Sequence, residues 1–224
     1  TSNNERPHQP VRIITKHIGR CGEYADLTSA VARLSLIPCT SILSYSLDHT
    51  WNEFWDENWV AWEPVNGYIN NPLVYENGWG TVFGSVFEIR PDGLLTPVTD
   101  KYSEGVSTII IQVTDANQHP VDGARVMLYV MQNSIHFDCE QYTDNNGIAT
   151  FLVGDNLEYF TRVETDFGSF PEIAGSYLTL TNNSVAGETY QYIITIPNVM
   201  PVPELEELPP PADPVQDYQF AVSY

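Results

Sequence analysis

Three short stretches in the first third of the chain decide its fold, and each contains one residue suited to nucleophilic catalysis: GRCGEYADLTSAVARLSLIP (19–38), DHTWNEFW (48–55) and NWVAWEP (58–64). Cys21 begins a predicted helix, His49 begins a predicted strand, and Glu63 ends the strand after it. A thiol, an imidazole and a carboxylate therefore follow one another in the order that a cysteine nucleophile with its base and orienting acid would use.

The first stretch has the periodicity of an amphipathic helix from Cys21 to about residue 36. Its apolar side chains recur at steps of three or four residues on one face: Tyr24, Leu27, Val31 and Leu34. Pro38 ends the helix, because a proline ring disfavours helical geometry in the residue before it. A thiol in the first helical turn lies at the positive end of the helix dipole, which favours the thiolate.

The other two stretches predict a β-hairpin. Residues 49–55 alternate between two faces, and one face carries His49, Trp51, Glu53 and Trp55. The turn falls at 56–58, and 40–47 is predicted as the preceding strand. Antiparallel pairing around the acidic turn would place His49 opposite Glu63 or one residue away, within hydrogen-bonding range.

Together these three residues would support acyl transfer. The thiolate of Cys21 would attack a carbonyl carbon, His49 would take the thiol proton and return it to the leaving group, and Glu63 would fix the imidazole tautomer. Each residue alone has an ordinary interpretation: a buried cysteine, a surface histidine, or a glutamate before a proline. The combination and its spacing favour the catalytic interpretation.

The quoted motifs resemble those of the transglutaminase-like superfamily, whose papain-like core includes peptide N-glycanases and bacterial cysteine hydrolases. The resemblance covers about residues 10–90 and implies an α+β fold with the cysteine helix packed on an antiparallel sheet. It also implies Cys21 as nucleophile, His49 as general base and acid, and Glu63 as the orienting acid. The family usually has an aspartate where this chain has Glu63, and helical structure ahead of the cysteine helix, where 20 residues precede Cys21 here.

Tryptophan is dense around these motifs. We expect most of these indole rings to form core and cleft wall, while exposed members would hold a peptide or a sugar by stacking. The substrate-cleft candidates are Trp51, Trp59, Trp62 and Trp79.

Weaker patterns fill the rest of the first unit. VRIITKHI (11–18) predicts a short strand or an ordered arm. The segment 67–80 is punctuated by glycine, asparagine and proline, which predicts a structured loop, and 81–89 is predicted as the last strand of the unit. We place the boundary between residues 94 and 105, which gives a transglutaminase-like domain at residues 1–97.

Residues 98–198 are predicted to form an all-β antiparallel sandwich. Seven strand-like runs are separated by turn residues at intervals typical of a two-sheet domain: 107–115, 124–132, 136–144, 147–155, 159–166, 176–181 and 189–197. VTDANQHPVDGARVMLYV (113–130) and YTDNNGIATFLV (142–153) resemble transthyretin-like or carboxypeptidase-regulatory-like domains. That resemblance implies no catalytic role.

The C-terminal end has a different composition. Residues 199–217 are rich in proline and acidic residues, which predicts an extended linker. YQFAVSY (218–224) is an orphan strand or the start of a further domain. The sharper alternative is that this strand pairs with a sheet edge of another subunit, giving a homo-oligomer.

The charge balance excludes several partners. Nine Lys+Arg against 29 Asp+Glu give a net charge of −20, which argues against nucleic acid and anionic membranes as partners. No apolar run approaches the roughly 18 residues that a membrane span needs. Acidic residues near 144–155 lack calcium-loop spacing, and His119, His136 and Cys139 lack zinc spacing, so we expect no metal and no cofactor.

Cysteine and lysine usage bears on the compartment. Three cysteines, Cys21, Cys39 and Cys139, are an odd number, and their pairing stays open at this point. Scarce lysine and a glycosylation-type sequon at Asn182 favour an extracellular or cell-surface protein.

These observations predict cysteine-dependent acyl transfer on a protein or peptide, either amide hydrolysis or transamidation. The first alternative is a catalytically weak or inactive structural subunit of a cell-surface protein or filament, with 218–224 pairing to another subunit. The second is carbohydrate or peptide binding without turnover on a tryptophan-lined surface.

Overall fold

The computed structural model describes residues 9–90 and 92–201. Most of the predicted linker and the whole of the predicted strand 218–224 lie outside these residues, so both stay predictions.

The first half is a mixed α+β unit built on one sheet. Its helices are α1 (Pro10–Lys16), α2 (Cys21–Leu34) and α3 (Val74–Trp79), and a short helix α4 (Thr99–Tyr102) follows its last strand. Its strands are β1 (Cys39–Ser44), β2 (His49–Asp56), β3 (Asn58–Glu63), β4 (Tyr68–Ile69), β5 (Phe87–Ile89) and β6 (Leu95–Pro97). They form one six-stranded sheet in the order β4-β3-β2-β1-β5-β6, and every neighbouring pair is antiparallel.

Helix α2 begins at Cys21 as the sequence predicts, and its first turn is capped. The carboxylate of Glu23 accepts a hydrogen bond from the backbone N–H of Arg20 at 2.9 Å, which satisfies a donor just ahead of the helix. The helix packs on β1 and β2, where the buried amide of Asn52 donates to the carbonyl oxygens of Ala25 and Thr40, each at 3.1 Å. One side chain therefore ties the cysteine helix to the strand that carries His49.

The face that α2 buries differs from the apolar face that its periodicity identified. Small residues such as Ala25 and Ser29 are buried against the sheet, whereas Tyr24 and Val31 are exposed and Leu34 is 85% exposed. Alanine and serine let the helix axis come close to the strands. The buried face of α2 is therefore the one that allows the closest approach to the sheet, and not the one with the largest apolar side chains.

Three segments differ from their predicted structure. The first, 11–18, lies mostly in a helix, because Pro10 occupies the first helical position of α1, where a proline is favoured. The predicted loop 67–80 contains β4 and α3, and α3 ends at Gly80 in the left-handed conformation that terminates many helices. The predicted strand 81–89 is regular only in β5, and β6 follows it in the same sheet.

The hairpin of β2 and β3 turns at Glu57, where φ is 62°. Its register pairs Phe54 with Val60 and Asn52 with Trp62. Continuing this register puts Glu63 opposite Trp51, so the expectation that His49 lies opposite Glu63 or one residue away was wrong: the two are two positions out of register. They share a sheet face, and diagonal neighbours on one face remain within reach of long side chains.

The second half is β-rich, and all seven predicted strands are present. They are β7 (Val106–Thr114), β8 (Arg125–Met131), β9 (Ile135–Tyr142), β10 (Ile148–Gly154), β11 (Tyr159–Thr165), β13 (Leu178–Thr181) and β14 (Thr189–Thr195), with a further short strand β12 (Gly168–Phe170). One sheet has the order β10-β7-β14, and the other has β12-β11-β8-β9 with β13 paired to β11. Both sheets contribute to one buried cluster that includes Ile109, Val126 and Ile194.

One pairing corrects the predicted all-antiparallel arrangement. Strand β14 runs parallel to β7, with Thr189 opposite Thr108 and Thr195 opposite Thr114. A parallel neighbour requires a long crossover, and here that crossover contains strands β8 to β13.

The two halves are joined by polar contacts around the segment 81–85. Asp138 of β9 is fully buried and accepts hydrogen bonds from the backbone N–H of Ser85 at 2.9 Å and from its hydroxyl at 2.6 Å. The N–H of Gly154 in β10 donates to the carbonyl of Gly84 at 2.7 Å. The second half therefore fixes the path of the segment that comes after α3.

Candidate active site

His49 and Glu63 form the centre of the candidate site. The Nε2 atom of His49 lies 3.0 Å from Oε2 of Glu63, and the other carboxylate oxygen accepts the backbone N–H of Val65 at 3.0 Å. Glu63 is 3% exposed. Burial alone would raise the pKa of this carboxyl, but hydrogen bonds from His49, Tyr75 and Val65 outweigh it and hold the pKa below its ordinary value. Glu63 is therefore an ionised acid held against the imidazole.

Tyr75 is part of this site, and no motif in the sequence pointed to it. Its hydroxyl donates to Oε2 of Glu63 and lies 3.0 Å from Nε2 of His49. The side chain is 3% exposed, and burial together with the adjacent Glu63 charge raises the pKa of the phenol far above its usual range. The available signal was the position of Tyr75 between Pro72 and Gly80, residues that often flank a short helix.

Cys21 starts α2 and is a free, partly exposed thiol. Its Sγ contacts the carbonyl oxygen of Asp48, the residue before His49, at 3.6 Å. Because Nε2 of His49 faces Glu63 and Tyr75, Nδ1 is the nitrogen left to accept a proton from a thiol.

The other two cysteines are buried free thiols. Burial raises the pKa of Cys39, and it raises the pKa of Cys139 further. Neither has the exposure or the low pKa of a reactive cysteine, and Cys21 is not consumed by a disulfide.

The four tryptophans named as cleft candidates lie in different surroundings. Trp51 belongs to the core, where it stacks on the His49 ring with centroids 5.4 Å apart. Trp59 packs edge-on against Trp55, and Trp62 packs edge-on against Phe54.

Trp79 is the tryptophan that lines a groove beside His49. The groove has a volume of about 230 Å³ and is lined by Leu47, His49, Tyr75, Trp79, Thr81 and Phe83. Trp79 is 43% exposed and packs edge-on against Tyr75 at 5.0 Å between ring centroids. An apolar groove with one imidazole in its wall suits an uncharged substrate group next to the reacting bond.

Metal-type clusters and membrane-length helices are both absent from the described part of the chain. Within residues 9–90 and 92–201, no three histidine, cysteine or acidic side chains come together as a metal would require. No helix in those ranges is long and apolar enough to cross a membrane.

The N-terminal part of the chain is similar to a known protein family. Residues 1–64 match the model of the transglutaminase-like superfamily. The matched residues include Cys21, His49 and Glu63.

The curated relatives are amidases. A peptide-N(4)-(N-acetyl-beta-glucosaminyl)asparagine amidase of Arabidopsis thaliana is 25% identical over 142 residues, which cover 62% of this chain and 19% of the relative. The enzyme of the same name from Oryza sativa subsp. japonica is 31% identical over 97 residues, covering 42% of this chain and 22% of the relative. The chain thus spans about a fifth of the length of these relatives.

Among solved structures, the dioxygenase domain of a carbohydrate-binding fusion protein from Streptomyces sp. SirexAA-E aligns with a TM-score of 0.34 and 11% identity. The alignment covers 46% of this chain and 86% of that one. A likeness this weak carries no argument about fold or function.

Proposed function

We propose that the chain is a cysteine-dependent amide-bond enzyme, with Cys21 as nucleophile, His49 as general base and acid, and Glu63 as orienting acid. One observation carries the proposal: a buried carboxylate bonds the Nε2 edge of His49, and the Cys21 thiol lies against the carbonyl of the residue next to that histidine. The amidase names of the relatives support the same class of reaction.

The reaction follows from the positions of these groups. Nδ1 of His49 takes the Cys21 proton, and the thiolate attacks the amide carbonyl carbon. The carbon–nitrogen bond then breaks, the amine leaves with the proton from His49, and a thioester remains on Cys21. Water attacking the thioester gives a carboxylic acid and restores the thiol, whereas an amine attacking in its place gives a new amide.

The proposed substrate is a protein or peptide amide. The relatives' name specifies the amide of an N-glycosylated asparagine, and the groove beside His49, with Trp79 in its wall, supports an uncharged sugar or apolar group there. Exposed aromatic rings stack well on both kinds of group.

We also propose the finer architecture that the sequence predicted: a papain-like core at 1–97 and a transthyretin-like sandwich at 98–198. The cysteine helix on an antiparallel sheet supports the first, and two sheets around one buried cluster support the second. An extracellular or cell-surface location is proposed from composition; secretion from a eukaryotic host with a glycan found at Asn182 by mass spectrometry would test it.

Thiol labelling tests the enzymatic proposal. Iodoacetamide at limiting concentration should modify Cys21 before Cys39 and Cys139, and His49→Ala should slow labelling of Cys21 by about 10²-fold or more. An N-glycosylated peptide incubated with the full chain should yield the peptide with aspartate in place of the glycosylated asparagine, and Cys21→Ala should abolish this product. A Cys21 labelling rate that is the same in wild type and His49→Ala would refute the proposal.

A structural role in an assembly is the second candidate, and an open sheet edge favours it. Within the described residues β14 pairs only with β7, and Ile193 on β14 is 69% exposed. A strand supplied by residues 218–224 of another copy would pair with such an edge. Sedimentation of the full chain against a chain lacking 218–224 tests this: a concentration-dependent oligomer lost on deletion supports it, and a monomer in both refutes it.

A further inference from the structure

We propose that Tyr75 is a positioning residue of this site: its hydroxyl holds the Glu63 carboxylate and the Nε2 edge of His49 in one arrangement, and so sets the imidazole tautomer in which Nδ1 can accept a proton. This role rests on the proposed function, because a tautomer matters only if His49 takes the thiol proton. Neither the family match nor the names of the relatives assigns Tyr75 any role.

The protons around the hydroxyl determine the tautomer. A phenol has one proton to donate, and Tyr75 donates it to Oε2 of Glu63. The phenol oxygen then offers only lone pairs to His49, 3.0 Å away, and Glu63 offers only lone pairs as well. Nε2 of His49 must therefore carry the hydrogen, which both oxygens share, and Nδ1 keeps the lone pair that accepts the proton of Cys21.

The phenol stays protonated while it does this. Burial and the neighbouring carboxylate both oppose the charged phenolate and raise its pKa, so Tyr75 remains a donor throughout the pH range in which a thiolate forms. The titratable side chains that bond Glu63 are His49 on β2 and Tyr75 on α3. Tyr102 on α4 and Cys21 on α2 also interact electrostatically with Tyr75.

Packing fixes the ring independently of its hydrogen bonds. The Tyr75 ring lies edge-on to Phe83 at 4.9 Å and to Trp79 at 5.0 Å, and it contacts Trp51 at 5.1 Å. These rings hold the hydroxyl in place without help from Glu63. Removing the oxygen alone, with Tyr75→Phe, should therefore keep the ring where it is.

Tyr102 provides a matched control in the same apolar cluster. It is fully buried, packs edge-on against Trp51 at 4.9 Å, and donates its hydroxyl to Oε1 of Glu53 at 2.5 Å. Glu53 is paired with Lys101 at 2.7 Å rather than with His49. Tyr102→Phe thus removes the same kind of bond from the same core and leaves the hydrogen bonds of Glu63 and His49 in place.

The decisive experiment measures Cys21 alkylation by iodoacetamide from acid to alkaline pH, in the full chain with each variant, using peptide mass spectrometry to read Cys21 alone. At pH 7, Tyr75→Phe should lower the rate by about tenfold, a fraction of what acid–base catalysis contributes. It should also move the acid limb to higher pH, because Glu63 loses a donor that lowers its pKa. Tyr102→Phe should change neither.

Two outcomes would overturn the role of Tyr75 by different routes. If His49→Ala slows alkylation but Tyr75→Phe behaves like Tyr102→Phe, only the positioning role fails. If His49→Ala has no effect, the proposed function fails and the role of Tyr75 fails with it.

If Tyr75→Phe does not fold, a measurement on the unmodified chain still tests the inference. Nitrogen-15 chemical shifts of His49, assigned by comparison with His49→Gln, should show the hydrogen on Nε2. A hydrogen on Nδ1 in the neutral ring would overturn the inference directly.

Discussion

Replacing Glu63 with glutamine exchanges one carboxylate oxygen for an NH₂ group and removes the charge of a buried side chain. The carboxylate accepts on both oxygens: Tyr75 and His49 bond Oε2, and the N–H of Val65 bonds Oε1. A glutamine amide has only one acceptor oxygen. Whichever way the side chain of Glu63→Gln turns, its NH₂ group faces a donor: the buried Tyr75 hydroxyl and the His49 ring N–H in one orientation, or the N–H of the half-exposed Val65 in the other.

The magnitude of the effect comes from the hydrogen bond that is lost. Every orientation loses a hydrogen bond to a charged acceptor, which contributes about 1.5–3 kcal/mol, so the free energy of unfolding should fall by about 2 kcal/mol at pH 7. For a chain of this size that corresponds to a fall in Tm of about 4–8 °C. Cys21 alkylation should slow by about 10²-fold or more, because the imidazole loses the charge that stabilises its protonated form.

The loss of stability in Glu63→Gln should be larger at neutral pH than in acid. The folded-state pKa of Glu63 is depressed, so its contribution is fully present above the unfolded pKa of about 4.3 and is lost as pH falls through the folded value. The gap between wild type and Glu63→Gln should therefore be widest near pH 7 and narrow below about pH 4.

Urea unfolding at pH 7, 5 and 3.5 measures this gap, with Asp92→Asn as the control. Asp92 is 47% exposed and pairs on the surface with Arg90, which is 50% exposed, at 2.7 Å, so its replacement should cost at most about 1 kcal/mol. A free energy of unfolding for Glu63→Gln within about 0.5 kcal/mol of wild type at pH 7 would contradict the role given to these hydrogen bonds. A difference that does not narrow in acid would contradict it as well.

Four further changes probe the scaffold of the site. Ser85→Ala removes the hydroxyl that donates to buried Asp138 at 2.6 Å and should cost about 2 kcal/mol in urea unfolding; a loss under about 0.5 kcal/mol would mean that the bond contributes nothing net. Burial raises the pKa of Asp138, so its ionisation opposes folding as pH rises. The free energy of unfolding of Asp138→Asn should therefore increase relative to wild type from about pH 4 upward. A difference between the two free energies that does not change with pH would contradict this. Asn52→Ala removes the bonds that join the cysteine helix to the sheet and should cost about 3 kcal/mol and slow Cys21 alkylation, whereas unchanged alkylation would show that α2 holds its place without them. Gly154→Ala would drive a Cβ into the carbonyl oxygen of Phe83, so it should lower Tm and shift the groove wall, and a fully stable variant would show that this segment yields easily.

Local sequence patterns predict those parts of the fold that depend on neighbouring residues. Strict alternation in 49–55 and a short acidic turn predict the hairpin, and the strands of the second half are predicted by the same alternation between turn residues. The family match over 1–64 supports the resemblance found in the motifs of that segment. The contact of His49 with Glu63 follows from the shared sheet face, although the exact register did not.

The features that the sequence did not predict depend on contacts between residues distant in sequence. Helix α3 is six residues long, and its place is decided by Tyr75 packing on aromatic rings from other segments. The exposed apolar face of α2 has a similar origin, because small residues allow a closer approach to the sheet than the periodic large ones. No local pattern predicts that β14 joins its sheet in parallel.

That parallel pairing also determines when the second half can close. Thr114 and Thr195 are 81 residues apart, yet their hydroxyls meet at 3.0 Å where β7 and β14 lie side by side. At a synthesis rate of about 5–20 residues per second, that edge of β7 stays bare for about 4–16 seconds after it leaves the ribosome. Closing so long a loop is slow, and the exposed strand edge is open to pairing with other chains in the meantime. Chaperone dependence during translation should therefore concentrate in the interval before β14 emerges.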